Sequence, residues 1–478
     1  MTDRPNIVVL FTDDQRFDTI GALGHPVVRT PNIDALVERG TSFTNAHIPS
    51  GQVGAICMPS RAMLHTGRTL FHLDGAGASI PDEHTLLGET LKDAGYAAFG
   101  TGKWHNGSAS YARSFTAGGE VMFGGMADHW NVPMCDWDPT GRYDVEQPFI
   151  QDPMTSNRVQ RRRVDHIHFG RHSTDIVADH TVSFLRDHPR GAPFFTYTAF
   201  LAPHDPRTMP ERYLAMYDPD SIELPASFCA EHPFDFGIRG IRDEVLAPYP
   251  RTEGEVRTHI AEYYAMITHL DDAVGRIVDA VRARGELDTT VFVFAGDNGL
   301  ACGHHGLLGK QNHYEHSIRV PLVFAGPGVP SGEQRDGYAY LLDVYPTLCD
   351  LLGIDAPPSV EGRSLVPMFS DSGGSVRDEL YFAYGDRIRS IKDDRYKLSL
   401  YAHGEANYAQ LFDLRDDPHE LTSLVADAAR RAVVDRLYGR VGELAEEWDD
   451  RPSRWGTEFW SRFDANGGLQ AAISRMAG

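Results

Sequence analysis

Uninterrupted apolar runs alternate along this chain with amphipathic stretches. Asn6-Ile7-Val8-Val9-Leu10-Phe11 and Thr290-Val291-Phe292-Val293-Phe294-Ala295 are continuous and rich in β-branched and aromatic residues. That pattern predicts strands buried on both faces. Residues 193–201, dense in Phe, Tyr and Thr, predict a third, and 96–99 a shorter one; 41–46 and 320–325 predict two more. Apolar residues at helical spacing predict helices over 31–39, 85–94, 173–187, 255–285 and 341–352. Strands alternating with helices make an α/β protein with a mostly parallel central sheet flanked by helices.

Two stretches break the pattern. Residues 108–172 and 206–254 have poor periodicity and many Gly, Pro and Asp, with Phe123, Trp130, Trp137 and Tyr143 in the first. They are expected to be ordered loops shaping a pocket. Arg161-Arg162-Arg163 reads as a solvated turn. Beyond a Gly/Ser-rich break at 370–375 come four short strand patterns, a helix over 423–447 and an aromatic tail at 455–463. These predict a small antiparallel sheet with a packed helix, and divide the chain into a catalytic domain, 1–372, and a C-terminal α+β subdomain, 373–478.

What stands at the ends of the buried strands carries the chemistry. The first ends in Asp13-Asp14, the strand at 96–99 runs into Lys103 and His105, the third ends near His204, and the fourth in Asp297-Asn298. Carboxyl ends of strands are where open α/β sheets bind ligands. Asp-Asn-Gly is also a common turn and a lone His is usually structural, so each is weak alone; together they point to one site. The acids and the amide offer hard oxygen donors, suited to Ca²⁺ or Mg²⁺, and no zinc spacing accompanies them. Cys57-Met58-Pro59-Ser60-Arg61 reads as a thiol entering a helix, with Pro59 in or beside its first position. There the thiol would meet unpaired amides and the positive end of the dipole.

Composition narrows the class. The 478 residues carry a formal net charge of −22, which argues against a nucleic-acid partner. Five scattered cysteines show neither a disulfide framework nor a metal finger, favouring a reducing compartment. No apolar run spans a membrane, and Met1-Thr2-Asp3-Arg4-Pro5 shows no apolar signal region. The expectation is cytoplasmic, or periplasmic or secreted if a signal peptide has been removed.

Cys57-Met58-Pro59-Ser60-Arg61, with Leu64 and Thr66-Gly67-Arg68, resembles the signature of type I (formylglycine-dependent) sulfatases of the alkaline phosphatase superfamily. The resemblance continues through Asp13-Asp14, Gly102-Lys103-Trp104-His105, Pro203-His204, Asp297-Asn298-Gly299 and Gly309-Lys310 to Leu411–Pro418. It implies the alkaline-phosphatase-like sandwich and hydrolysis of a sulfate monoester to alcohol and sulfate. It implies that Cys57 is oxidised by a formylglycine-generating enzyme and that the hydrated aldehyde, a gem-diol, is the nucleophile. Asp13, Asp14, Asp297, Asn298 and residue 57 would hold Ca²⁺, with Mg²⁺ or Mn²⁺ as alternatives. Arg61 and Lys103 would orient the diol, His105 would take a proton during its collapse, and His204 and Lys310 would bind sulfate and protonate the leaving oxygen. Asn106, where relatives often carry Leu, and the doubled His304-His305 are read as rim features bearing on substrate identity. A formylglycine-dependent phosphonate monoester or phosphodiester hydrolase is the nearest rival, and a binding protein with a decayed site a more distant one. The expected substrate is a small-molecule or saccharide sulfate ester.

Overall fold

The first apolar run becomes the middle of the molecule. A computed structural model describes residues 4–150, 152, 154–370 and 373–477; Met1 to Asp3 and the expected domain boundary at Ser372 lie outside them. Eight strands form the main sheet: β1 (Asn6–Thr12), β2 (Gly40–Phe43), β3 (Ala97–Lys103), β4 (Ala117–Met122), β5 (Phe194–Ala199), β6 (Thr290–Gly296), β7 (Leu322–Ala325) and β8 (Glu333–Arg335). Their spatial order is β8-β2-β7-β6-β1-β5-β3-β4. From β6 to β4 every neighbouring pair is parallel, whereas β7 runs antiparallel to both its neighbours.

Every residue of β1 is buried because both faces are covered. Val8 and Leu10 pack with Val177 and Leu270, from the helices Ser173–Asp187 and Glu253–Ala283. Ile7, Val9 and Phe11 pack on the other side with Ile56 and Leu64. A strand buried on both faces gains nothing from a polar alternate position, which is why its sequence does not alternate. One glycine is required for the sheet to close at the site. Gly102 has φ +88°, and a Cβ there would lie 1.8 Å from the Ala199 carbonyl oxygen of β5.

The C-terminal sheet follows the expected pattern with one addition. Strands β9 (Leu380–Tyr384), β10 (Ile388–Lys392), β11 (Tyr396–His403) and β12 (Ala406–Asp413) form an antiparallel sheet. Its fifth strand is Ser50–Gly51, parallel to β9, outside the strands that periodicity predicts. The aromatic tail docks as the helix Arg454–Ala465, burying Phe459, Trp460 and Phe463.

Other boundaries moved for local reasons. The strand expected over 41–46 is split, because Thr44 and Asn45 turn aside to bond the carbonyls of Arg335 and Asp336. The last long helix is regular only over Arg431–Glu447, after an Asp427-capped 3₁₀ turn. The stretch 108–172 is not irregular: it holds a helix (Ser108–Ser114), β4, a ribbon of Asn131–Met134 and His166–Phe169, and a hairpin of Glu146–Phe149 and Gln160–Arg163. Arg161, Arg162 and Arg163 are thus strand residues rather than a turn, with Arg162 over the Phe149 ring at 4.3 Å. The two hairpin strands are short and exposed, with no core face to impose a period on their sequence. Among the described residues no helix is long and apolar enough to cross a membrane.

Candidate active site

The helix carrying Cys57 spans Cys57–Thr66 and starts at the cysteine itself. Pro59 is therefore its third residue, not its first. The position still suits proline, since the first four amides of a helix lack intrahelical partners. The amides of Met58 and Ser60 are not left open as expected: they donate to the carbonyls of Ala55 (3.1 Å) and Ile56 (3.2 Å). The helix is almost wholly buried and points its first turn at the carboxyl ends of β1, β3, β5 and β6.

The nine residues expected from the strand ends and the cysteine motif, and Lys310 from the Gly309-Lys310 match, lie in this one place. Cys57 is 2 % exposed. Its Sγ lies 3.4 Å from Lys103 Nζ and 3.4 Å from His105 Nδ1. Lys103 Nζ also donates to Asp13 Oδ2. Asp14 takes a left-handed backbone, φ 63°, which turns its amide to donate to Asp297 Oδ1 at 3.0 Å. Asp14 Oδ1 accepts from Asn298 Nδ2 (2.7 Å) and from Lys310 Nζ (2.5 Å). His204 Nδ1 donates to its neighbour's carbonyl (2.7 Å), leaving Nε2 facing Asp14 Oδ2 at 3.6 Å. Arg61, fully buried, donates Nε to Asp297 Oδ2 at 3.0 Å and Nη1 to the Lys103 carbonyl at 3.0 Å, and its Nη2 stands in ion-pair contact 2.9 Å from Asp297 Oδ2.

The donor set fits a divalent cation. Ligand atoms of Asp13, Cys57 and Asp297 lie within 4.8 Å of one another, as do those of Asp13, Asp14 and His204. Asp13 Oδ1 and Asn298 Oδ1 are buried without a hydrogen-bond partner. Leaving such oxygens unsatisfied is costly, and a hard cation satisfies both at once.

The charges are arranged in opposition. Burial works against ionisation of Asp13, yet Lys103, His204, Arg61 and Lys310 together hold its carboxyl far below the ordinary range. Burial, and then the Asp13 charge, push Asp297 up to about 7. Burial raises the Cys57 thiol despite Lys103 and Lys310. Burial, Lys103 and Arg61 drive His105 well below its ordinary value, which keeps its ring neutral. A buried thiol of raised pKa is a weak nucleophile, because the thiolate is the reactive form.

Several positioning residues carry no sequence signal. Tyr197 on β5 puts its hydroxyl 3.3 Å from Arg61 Nη1. Tyr263 donates to the Asp14 carbonyl (2.5 Å) and accepts from the Arg16 amide (2.8 Å), holding the strained turn. His129 Nε2 donates to the His204 carbonyl at 2.9 Å. Ser60 lies inside the motif and donates to the Asp297 carbonyl at 2.6 Å. Asn106 is not a rim residue: it is buried and donates to the carbonyls of Met58 (2.8 Å) and Gly77 (2.6 Å), fixing the start of the Cys57 helix. His304 and His305 are likewise packing groups. The first bonds Arg16 and Ser227, and the second stacks on Tyr314 at 3.8 Å.

A parallel sheet bearing paired acids, a buried latent nucleophile and convergent cations at its strand ends defines a hydrolase of the alkaline phosphatase superfamily. Residues 5–354 match the sulfatase family, and 303–447 match the N-sulphoglucosamine sulphohydrolase C-terminal family. The chain belongs to the sulfatase family. An arylsulfatase of Clostridium perfringens is 29 % identical over 487 residues, covering 91 % of this chain and 95 % of that protein. Among solved structures, BT4656 in complex with its substrate D-glucosamine-2-N,6-O-disulfate superposes with a TM-score of 0.71. It is 21 % identical, covering 94 % of this chain and 98 % of the other. The phosphonate monoester hydrolase of Agrobacterium radiobacter gives 0.73 at 23 % identity, covering 93 % and 96 %. The protein is a sulfatase, an enzyme of sulfate ester hydrolysis; its family uses a metal ion and formylglycine.

Proposed function

We propose that residue 57 is oxidised to formylglycine by a formylglycine-generating enzyme. Asp13, Asp14, Asp297, Asn298 and the modified residue 57 then hold Ca²⁺, and the substrate is a small or saccharide-sized sulfate ester. The observation that carries this reading is the placement of Cys57: buried, of raised pKa, and within 3.4 Å of both Lys103 and His105. A thiol so held is poor as a nucleophile and well placed as the precursor of one. The hydrated aldehyde supplies two hydroxyls, one to attack sulfur and one to release the product. The cation, when bound, screens sulfate charge and lowers the pKa of the attacking hydroxyl.

The chain's own residues do the rest. Lys103 Nζ faces the residue-57 side chain and steadies negative charge there. Arg61 acts through Asp297, holding that carboxylate with two contacts while a third fixes the Lys103 carbonyl. Asp297, with a ligand atom within 4.8 Å of the residue-57 Sγ, is placed to accept the proton of the attacking hydroxyl. His105, kept neutral, takes the second proton. His204, its tautomer set by the Asp205 carbonyl, and Lys310 bind sulfate oxygens and deliver a proton to the leaving alcohol oxygen.

Beside the site is a cavity of about 530 Å³, lined by Met126, Phe149, Ile150, Val164, Ile167 and Pro206 with Asp128 and Arg162. Met126 follows Gly125, which abuts His105, and Pro206 follows His204 by two residues. Its mixed apolar and polar lining, and the sugar disulfate bound to BT4656, support a saccharide or aryl alcohol. All five cysteines are free thiols, which supports a cytoplasmic location. Residues 1–372 and 373–478 are read as catalytic domain and C-terminal subdomain, folding together through Ser50–Gly51.

The test is peptide mass spectrometry across residue 57 from cells containing the modifying enzyme, then kinetics on aryl sulfates, sugar sulfates, phosphonate monoesters and phosphodiesters. Sulfur replaced by aldehyde oxygen and the highest kcat/KM on a sulfate ester are expected. A higher kcat/KM on phosphonates would overturn the substrate reading, and an unmodified, fully active Cys57 the formylglycine reading.

A further inference from the structure

A second cluster of metal-ligating groups lies on the edge of the main sheet, outside the site described above. It joins β4 to the ribbon Asn131–Met134/His166–Phe169. His166 and His168, two residues apart on one strand, project to the same face. Both send Nε2 to a single atom, Glu120 Oε2, at 3.0 and 2.7 Å. The three side chains are only 19 to 31 % exposed, and their ligand atoms lie within 4.8 Å of one another.

The backbone is bent to produce this convergence. Glu120 has φ 45°, a left-handed conformation rare outside glycine. It sits where the β3–β4 register shifts, between the pairs Gly100–Gly118 and Gly102–Val121. A bulge at an edge strand re-aims one side chain, and here it turns Glu120 toward the two imidazoles. Strain of this kind persists where the surroundings over-determine it, and it clusters at ligand clamps. Behind the cluster, Asp136 Oδ1 is 3.8 Å from the other ring nitrogen, Nδ1, of His166. A carboxylate on the far nitrogen is the usual outer partner of a metal-bound histidine.

We infer that Glu120, His166 and His168 form a Zn²⁺ site, with water completing the tetrahedron, which pins the ribbon to the sheet edge. Two imidazoles and one carboxylate are a borderline donor set that selects zinc over calcium. With bonds of about 2.0–2.2 Å, neighbouring ligand atoms of a tetrahedron stand roughly 3.3–3.5 Å apart. The two observed separations, 3.0 and 2.7 Å, reach that spacing by opening about 0.3–0.8 Å. Four elements of the chain meet here: β4, the segment through Asp136, and both strands of the ribbon. The opposite face of the ribbon carries Ile167, which lines the cavity beside the catalytic residues. The metal therefore fixes one wall of that cavity without touching the reacting atoms.

The test uses the full chain in a Cys57→Ala background, so that no thiol in the catalytic site competes for zinc. The protein is stripped with chelator, supplied with excess Ca²⁺ to fill the catalytic acids, and titrated with ZnCl₂ by calorimetry. Bound zinc is then counted by mass spectrometry of the elements. One equivalent of tight zinc is expected, with affinity reduced about tenfold or more in His168→Ala and in Glu120→Gln. The second variant keeps the size of the side chain and guards against a folding defect. Zinc should also slow amide exchange in 131–134 and 166–169 in the parent but not in either variant. Equal zinc content and affinity in parent and variants, or no zinc-dependent protection of the ribbon, overturns the proposal.

Discussion

Lys103 shows how one side chain serves two partners. Its ammonium bridges Asp13 and the residue-57 side chain from a fully buried position, where a charge is tolerated only if paired. Lys103→Met removes the donor facing developing charge, so kcat is expected to fall about 10²–10³-fold in steady-state assays, with residue 57 still modified in the peptide mass spectrum. Asn106 is a different case, because it is buried with its amide spent on two backbone carbonyls. Asn106→Ala leaves the buried Met58 and Gly77 carbonyls without their donor. That costs about 1–3 kcal/mol per group, read as a lowered Tm, and kcat falls with it because the start of the Cys57 helix loosens. An Asn106→Ala enzyme with unchanged Tm and altered substrate preference would restore the rim reading of this residue.

Between elements, the loop from Lys310 to Ile318 couples the active site to the C-terminal sheet. Glu315, in the short helix Glu315–Ile318, bonds Lys392 of β10 at 2.7 Å and Lys397 of β11 at 3.1 Å, with His47 3.4 Å away. Glu420 and Arg319 complete the group. Removing one partner of a buried charged set strands the others, so Glu315→Gln is expected to destabilise by about 3–5 kcal/mol in denaturant unfolding. Burial opposes ionisation of Glu315, but Lys392 and Lys397 hold its carboxyl well below the ordinary 4.5. A depressed carboxylate contributes stability that is complete above its unfolded value and is lost as the pH falls below it. Unfolding midpoints of the parent should therefore drop on acidification below pH 4.5, and Glu315→Gln should flatten that slope. Glu420, pushed upward by burial, contributes with the opposite sign, which is why the comparison is made at Glu315 alone.

At the scale of the whole molecule, the two sheets are not separable in the way the Gly/Ser-rich break suggests. Met63 of the Cys57 helix, with Leu70, Ile80 and Leu86, packs in one apolar cluster with Leu380, Leu398, Leu411, Phe459 and Trp460. The C-terminal sheet borrows Ser50–Gly51 as its edge strand, only six residues ahead of Cys57. A chain ending at residue 372 would expose the near half of that cluster and leave Ser50–Gly51 unpaired. Such a chain is expected to be insoluble or inactive on expression, with recovery only when 373–478 is supplied. A soluble, fully active 1–372 would show that the subdomain is dispensable.

The sequence by itself determined the sheet's central strands, the polar residues delivered to their carboxyl ends and the cysteine at the start of a helix. Strands such as β1 and β6 are buried on both faces, so their apolar runs have no competing arrangement, and whatever follows them is delivered to one edge. The cysteine motif is likewise contiguous and readable without the fold. Only the tertiary structure decided what depends on distant partners. Asn106 is buried because Met58 and Gly77 need its donors. Arg61 turns to Asp297 because Tyr197 and Phe11 close the other side. Glu120 meets His166 and His168 because a bulge redirects one side chain on an edge strand. Such contacts join residues tens to hundreds of positions apart. Exposed or irregular segments carry no period that announces them, since periodicity in sequence is imposed by a core face that these segments lack.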